Sequence, residues 1–445
     1  MTAPFNSVLS RLPQVRPAWT SALRKRDQNN YSSLAYSALM TIALSSAAAF
    51  SQPNTAQVPE TGASLASDSA PTSAEDSANS TDTETTPEKD QKGFLDKVLN
   101  AIGADGKFDA DKGVNFSFLP GPFYNPDTEF GIGLSTVGLY KVDPKDNVSQ
   151  LSSLTISSFV STNKSLGVVI DNRMFLEEDQ YRFYINAGIV DAPEVYYGIG
   201  YDENNNDANE QRYVQRQYSL TPRWLTRVLP ETYFGAGLTF SFTNARHIRP
   251  ENPTTNAVTD FPSRNISAGL LVEFVHDNRD FQLNPSKGKL LQFTLKYYSE
   301  PLGSDTNFVN YVFDYREYFD LGDAPGLLAL QVKADLTEGS VPWSLLPKIG
   351  GGQGLRGYII GRYRDRQTLL SQIEYRVPLG GRHGLVTWAG GAALANRVSE
   401  FHVDEILPNI GIGYRLALKE RVNLRLDLGF GRNGSGFYFN VNEAF

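Results

Sequence analysis

The chain has 445 residues, 40% hydrophobic and 12% aromatic, with no cysteine and a net charge of −8. Without cysteine it carries no disulfide framework and no sulfur-ligated metal or thiol chemistry. Residues 1–49 contribute +4 (Arg11, Arg16, Arg24, Lys25 and Arg26 against Asp27), so the remainder stands at −12, which argues against nucleic-acid binding by bulk electrostatics.

Residues 1–33 are polar and basic, and Leu34–Ala49 is apolar, small and closed by Ala47-Ala48-Ala49. That stretch falls short of the ~20 residues that span a bilayer. With its A-x-A ending it reads as a secretory signal peptide over 1–49. Residues 50–92 follow as an acidic tail of Ser, Thr, Ala, Pro, Asp and Glu, with eight acidic residues and two lysines between 52 and 92. So little apolar surface does not offset ordering entropy, which predicts a disordered periplasmic segment. Over 93–113, Phe94, Leu95, Val98, Leu99 and Ile102 share one helical stripe, predicting a short amphipathic helix and linker. Asp105, Asp109 and Asp111 before Gly113 miss the register of a calcium loop and lack its closing Glu. The four histidines are scattered without ligand spacing, so no metal site and no cofactor is expected.

From 114 onward the period is two. In 231–242, Phe234, Ala236, Leu238, Phe240 and Phe242 oppose Tyr233, Gly235, Gly237, Thr239 and Ser241. In 422–431, Val422, Leu424, Leu426, Leu428 and Phe430 oppose Asn423, Arg425, Asp427, Gly429 and Gly431. Both signs of charge recur on the non-apolar face, as a polar lumen behind a lipid-facing wall requires. Strands are predicted at 129–140, 149–159, 166–176, 181–200, 211–224, 231–243, 263–276 and 288–299. They continue at 308–320, 326–336, 367–378, 384–394, 407–418, 422–431 and 436–445. These are fifteen, and an even number is expected. The sixteenth is either 114–119 or a break of 181–200 near Pro193. The predicted fold over 114–445 is therefore an all-β, antiparallel transmembrane barrel of about sixteen strands. Leu321–Pro325, Leu379–His383 and Lys419–Arg421 are short, hence periplasmic; Asn244–Pro262 and Thr337–Arg366 are long, hence extracellular. The chain closes on Phe437, Phe439, Val441 and Phe445, placed by alternation on one face as a C-terminal signal for the machinery that inserts such barrels.

Two internal motifs are more specific. One is the periplasmic turn Asp277-Asn278-Arg279-Asp280 running to Pro285 and Gly288. The other is Gly350-Gly351-Gly352-Gln353-Gly354-Leu355-Arg356-Gly357-Tyr358 in the longest loop. The glycine run lacks the Gly-Lys-Ser/Thr of a phosphate loop; it permits sharp turns in a narrow space. With Glu374-Tyr375-Arg376-Val377-Pro378 and Arg425-Leu426-Asp427-Leu428-Gly429, these motifs resemble the Omp85 superfamily, or bacterial surface antigen D15, over about 120–445. The resemblance implies a loop folded back into the lumen as a plug, its arginine paired with acidic residues of the inner wall. Alternation turns Glu374 inward, which makes it the expected partner of Arg356, and Asp427 is inward as well. Family members often carry a further acidic partner on the next strand, where alternation here assigns Ala389. No periplasmic POTRA domain fits before residue 114, so the resemblance is to the branch without them. It implies a barrel at the outer membrane, and with no Ser-His-Asp order, paired catalytic carboxylates or metal spacing in the sequence no enzyme is expected. Such a barrel aids insertion or translocation of client proteins or lipids, with outer-membrane lipid around it; a passive channel is the alternative.

Overall fold

The computed structural model describes residues 113–125, 129–250, 261–322, 324–419, 421–432 and 434–445. The signal peptide, acidic tail and amphipathic helix expected before residue 113 lie outside the described residues.

Sixteen strands form one antiparallel sheet in sequence order. The first eight are β1 (Asn115–Asn125), β2 (Glu129–Tyr140), β3 (Ser152–Ser161), β4 (Leu166–Leu176), β5 (Tyr181–Tyr196), β6 (Gln211–Leu229), β7 (Thr232–Pro250) and β8 (Arg264–Asp277). Then come β9 (Gly288–Tyr298), β10 (Phe308–Asp320) and β11 (Leu327–Gly339). After a long loop the sheet resumes with β14 (Gln367–Gly380), β15 (His383–Ala395), β16 (Leu407–Lys419), β17 (Val422–Gly431) and β18 (Gly434–Val441). Inside that loop β12 (Lys348–Ile349) pairs antiparallel with β13 (Tyr363–Arg364) as a separate two-stranded ribbon. No described helix is long and apolar enough to cross a membrane.

The uncertain sixteenth strand is β1, paired with β2 from Asn115↔Leu139 to Asn125↔Glu129. Pro193 does not break β5. The β4 register ends at Asp191, so Pro193 sits where only β6 pairs with β5 and its missing N–H costs little. β6 and β7 reach 19 residues each, well beyond the ~9–11 that cross a bilayer. The expected loop 244–262 is accordingly shorter: residues up to Pro250 belong to β7.

Burial follows the alternation. On β7, Phe234, Leu238 and Phe240 are exposed to the lipid side, whereas Tyr233, Thr239 and Ser241 are buried toward the interior. On β8, Leu270, Val272 and Phe274 face out, and Leu271, Glu273 and Val275 face in. An outward row of this kind is stable only because neighbouring strands satisfy the backbone.

Fifteen neighbouring pairs carry a residue register. The two ends of the sheet, β1 and β18, lie in contact, with Phe439 packed over Gly121. Among the described residues that contact has no paired register. β18, with eight residues, is the shortest of the sixteen.

Candidate functional site

The loop 340–366 between β11 and β14 turns back into the barrel. Its ribbon leaves the backbone at positive φ at Gly350 (124°), Gly351 (81°), Gly357 (99°) and Gly361 (92°). Gly357 shows why glycine is needed: a Cβ there would meet the Phe430 carbonyl carbon and the Gly431 nitrogen at 2.6 Å, on the wall strand β17. Gly429 answers from the wall, since a Cβ there would lie 2.9 Å from Arg356. Gly354 likewise leaves no room beside the Gly350 carbonyl, and Gly352 fits against Tyr438 and Asn440. Leu355, Tyr358, Ile349 and Tyr363 then pack with Ala392, Leu394 and Leu407 of β15 and β16.

This places Arg356 fully buried at the inner wall. One amine group, Nη2, is hydrogen-bonded to Glu374 and donates to Gln372 Oε1 at 3.4 Å. The other, Nη1, donates to Asp427 Oδ2 at 2.7 Å. The guanidinium also lies 3.6 Å from the centre of the Trp388 ring. Beside it, the Gly357 N–H donates to the Tyr438 hydroxyl (3.0 Å) and Asn409 donates to the Arg356 carbonyl (3.1 Å). The Tyr358 hydroxyl donates to the Pro408 carbonyl at 2.7 Å. The planar fork thus holds two carboxylates and covers an aromatic face at once, while its buried Nε has no hydrogen-bond partner among the described residues.

Ala389 is not the inward residue of β15. Glu374 pairs with Trp388, and directly opposed residues share a face, so Trp388 is buried while Ala389 faces lipid. An aromatic face therefore stands where a further acidic partner was sought.

The cluster is wider than the motif. Arg376 donates to Glu374 Oε2 at 2.9 Å, and Arg415 bridges Asp427 (2.6 Å) and Glu443 (2.8 Å). Arg425, also fully buried, lies 3.5 Å from Asp427 and donates to the Gly352 carbonyl at 3.1 Å. Inward parity in 372–376 and 425–427 marked Arg376 and Arg425 in the sequence. Nothing marked Arg415 or Glu443 as their partners.

The terminus also departs from the alternation. Phe437 is exposed outward, and Phe439 and Val441 are part-buried on the same wall, but Phe445 is buried. Asn442 takes φ 68°, which breaks the strand and reverses the side-chain sense. Glu443 then reaches Arg415, and Phe445 enters the interior with Tyr318 and Ala329. Its backbone oxygen accepts from Arg376 at 3.0 Å.

The second motif forms the turn 278–287. Asp277 holds Arg279 through two bonds (2.8 and 3.1 Å) and Arg182 of β5 through a third (3.1 Å), all buried. Asp280 closes the turn by accepting from the Ser286 N–H (2.9 Å) and hydroxyl (2.5 Å). Those bonds, with Arg421, outweigh burial and hold its carboxyl below the usual range. Pro285 is buried, and Gly288, at φ 92°, leaves no room for a Cβ beside the Asn278 carbonyl. Among the described residues no group of His, Asp and Glu is arranged to hold a metal ion.

Among solved structures the chain is similar to BamA from Haemophilus ducreyi lacking POTRA domains 1–3. The identity is 14% and the TM-score 0.47, over 74% of this chain and 69% of that one. It is also similar to CdiB from Acinetobacter baumannii, with 13% identity and TM-score 0.47, over 74% of this chain and 59% of that one. No curated protein sequence matches the chain significantly. Residues 146–445, more than half of the chain, match the Omp85 superfamily domain, and the chain belongs to that superfamily.

Proposed function

We propose that this outer-membrane barrel inserts or translocates client proteins or lipids by parting between β1 and β18. The observation that carries the reading is the seam. It joins the shortest strand of the barrel to the first strand through packing such as Phe439 on Gly121, and among the described residues it lacks the paired register of the other fifteen junctions. In hydrocarbon every backbone group must be paired, so the junction with least ladder is where a wall parts at least cost. A route through the lumen is less favoured, because the loop carrying Arg356 packs across the interior and is held by buried ion pairs. The proposed work is conformational rather than enzymatic. Its partners are the surrounding lipid, client proteins or lipids, and the machinery that inserts the barrel itself.

The chain has no native cysteine, so a cysteine on β1 and one on β18 form a single possible disulfide. Locking the seam is expected to abolish acceleration of a model barrel's folding into liposomes. Full activity of the locked barrel would return the lumenal channel as the better account.

A further inference from the structure

The turn 278–287 belongs by sequence to β8 and β9, in the middle of the sheet. Its contacts reach the sheet's two ends. Phe281, 8% exposed, is part of one apolar cluster with Leu119 of β1, Val137 and Leu139 of β2, and Leu418 and Val422 of β16 and β17. Leu283 packs on the same cluster beside Leu424 and Val441, the latter on β18. Polar contacts repeat the pattern. Asp280 pairs with Arg421 of the β16–β17 turn at 2.9 Å, and Arg421 donates to the Asn284 carbonyl at 3.3 Å. The Glu443 N–H donates to the Leu283 carbonyl (3.4 Å), beyond the end of β18. On the other side Gln150, between β2 and β3, donates to the Arg279 carbonyl (3.0 Å), and Arg173 of β4 donates to Gln282 (3.2 Å).

A turn that only joined two strands would not cross the barrel mouth. This one is anchored at its root by Asp277, Arg279 and Arg182, and its tip buries apolar side chains among residues on both sides of the seam. We infer that the turn 278–287 is an internal strap that ties β1–β2 to β16–β18 at the periplasmic end, so that the seam parts there only when Phe281 and Leu283 leave their cluster.

The strap's bearing on activity rests on the seam-opening reading; the tie itself does not, and it is tested without an activity assay. Hydrogen exchange of the full chain in phospholipid nanodiscs is compared for the parent, Phe281→Ala and Phe281→Leu. Removing the ring is expected to speed exchange in β1, β2, β17 and β18 on the order of a hundredfold, leaving β10 and β11 unchanged. The leucine variant, which keeps apolar volume and folds if the alanine variant does not, is expected to speed the same strands by about tenfold. A rise confined to residues 278–287 and to β8–β9, in whichever variant folds, would overturn the strap. Loosened seam strands together with a disulfide-locked barrel of full activity would uphold the strap and reject the seam-opening function.

Discussion

Replacing Arg356 by alanine removes the one side chain by which the lumenal loop holds two wall carboxylates. Neither carboxylate is left alone: Glu374 keeps Arg376 at 2.9 Å and Asp427 keeps Arg415 at 2.6 Å. Four arginines (356, 376, 415, 425) face the carboxylates of Glu374, Asp427 and Glu443 and the Phe445 backbone oxygen, so the variant still leaves each carboxylate with an arginine. The loss therefore falls toward the low end of the ~3–5 kcal/mol for breaking a buried pair. The Trp388 contact at 3.6 Å adds about 1–2 kcal/mol, because it is desolvated. The arginines that remain on both carboxylates offset part of both, leaving about 3 kcal/mol, or roughly a hundredfold in loop opening. Hydrogen exchange over 340–366 reads this directly, and the heat-modifiable gel shift should move to lower temperature. Arg356→Lys keeps the charge but not the fork, and should fall between parent and alanine. If Arg356→Ala leaves loop exchange and gel shift unchanged, the loop is held by its apolar packing and the ion cluster is incidental.

Gly357→Ala should be as damaging as Arg356→Ala without touching a charge. Its Cβ meets β17 backbone at 2.6 Å from a φ of 99°, so a loss of about 2–4 kcal/mol is expected, read by the same gel shift. Asp365, in the loop just before β14, is pushed up to about 6 by burial, with Glu400 and Glu405 adding to the rise and the Arg366 N–H opposing it. Its folded pKa lies above the unfolded one, so the stability it contributes is full below about pH 4 and is lost as pH rises through 6. Acidifying from pH 7 to 5 should tighten the loop by about 1 kcal/mol in exchange measurements, and Asp365→Asn should flatten that dependence.

The barrel was legible because period-two alternation persists through nearly every strand, and turn chemistry marked the boundaries to within a few residues in most cases. Glu374 and Asp427 were legible as inward residues for the same reason. The stretch Thr387-Trp388-Ala389-Gly390 was not. Its small residues leave the two faces similar in hydropathy, so only the register with Glu374 shows that Trp388 points in. Phe445 escaped because one left-handed residue, Asn442, ends the strand, and alternation carried past it assigns the wrong face. Arg415, Glu443 and the reach of Phe281 depend on which distant strands curve together, information that no local pattern holds.

The most direct test is the seam lock. With one cysteine on β1 and one facing it on β18, near Gly121 and Phe439, the oxidised barrel should fold, show the parental gel shift and lose its acceleration of client folding. Reductant should restore it. An oxidised barrel, verified as cross-linked, that works at the parental rate would contradict the account.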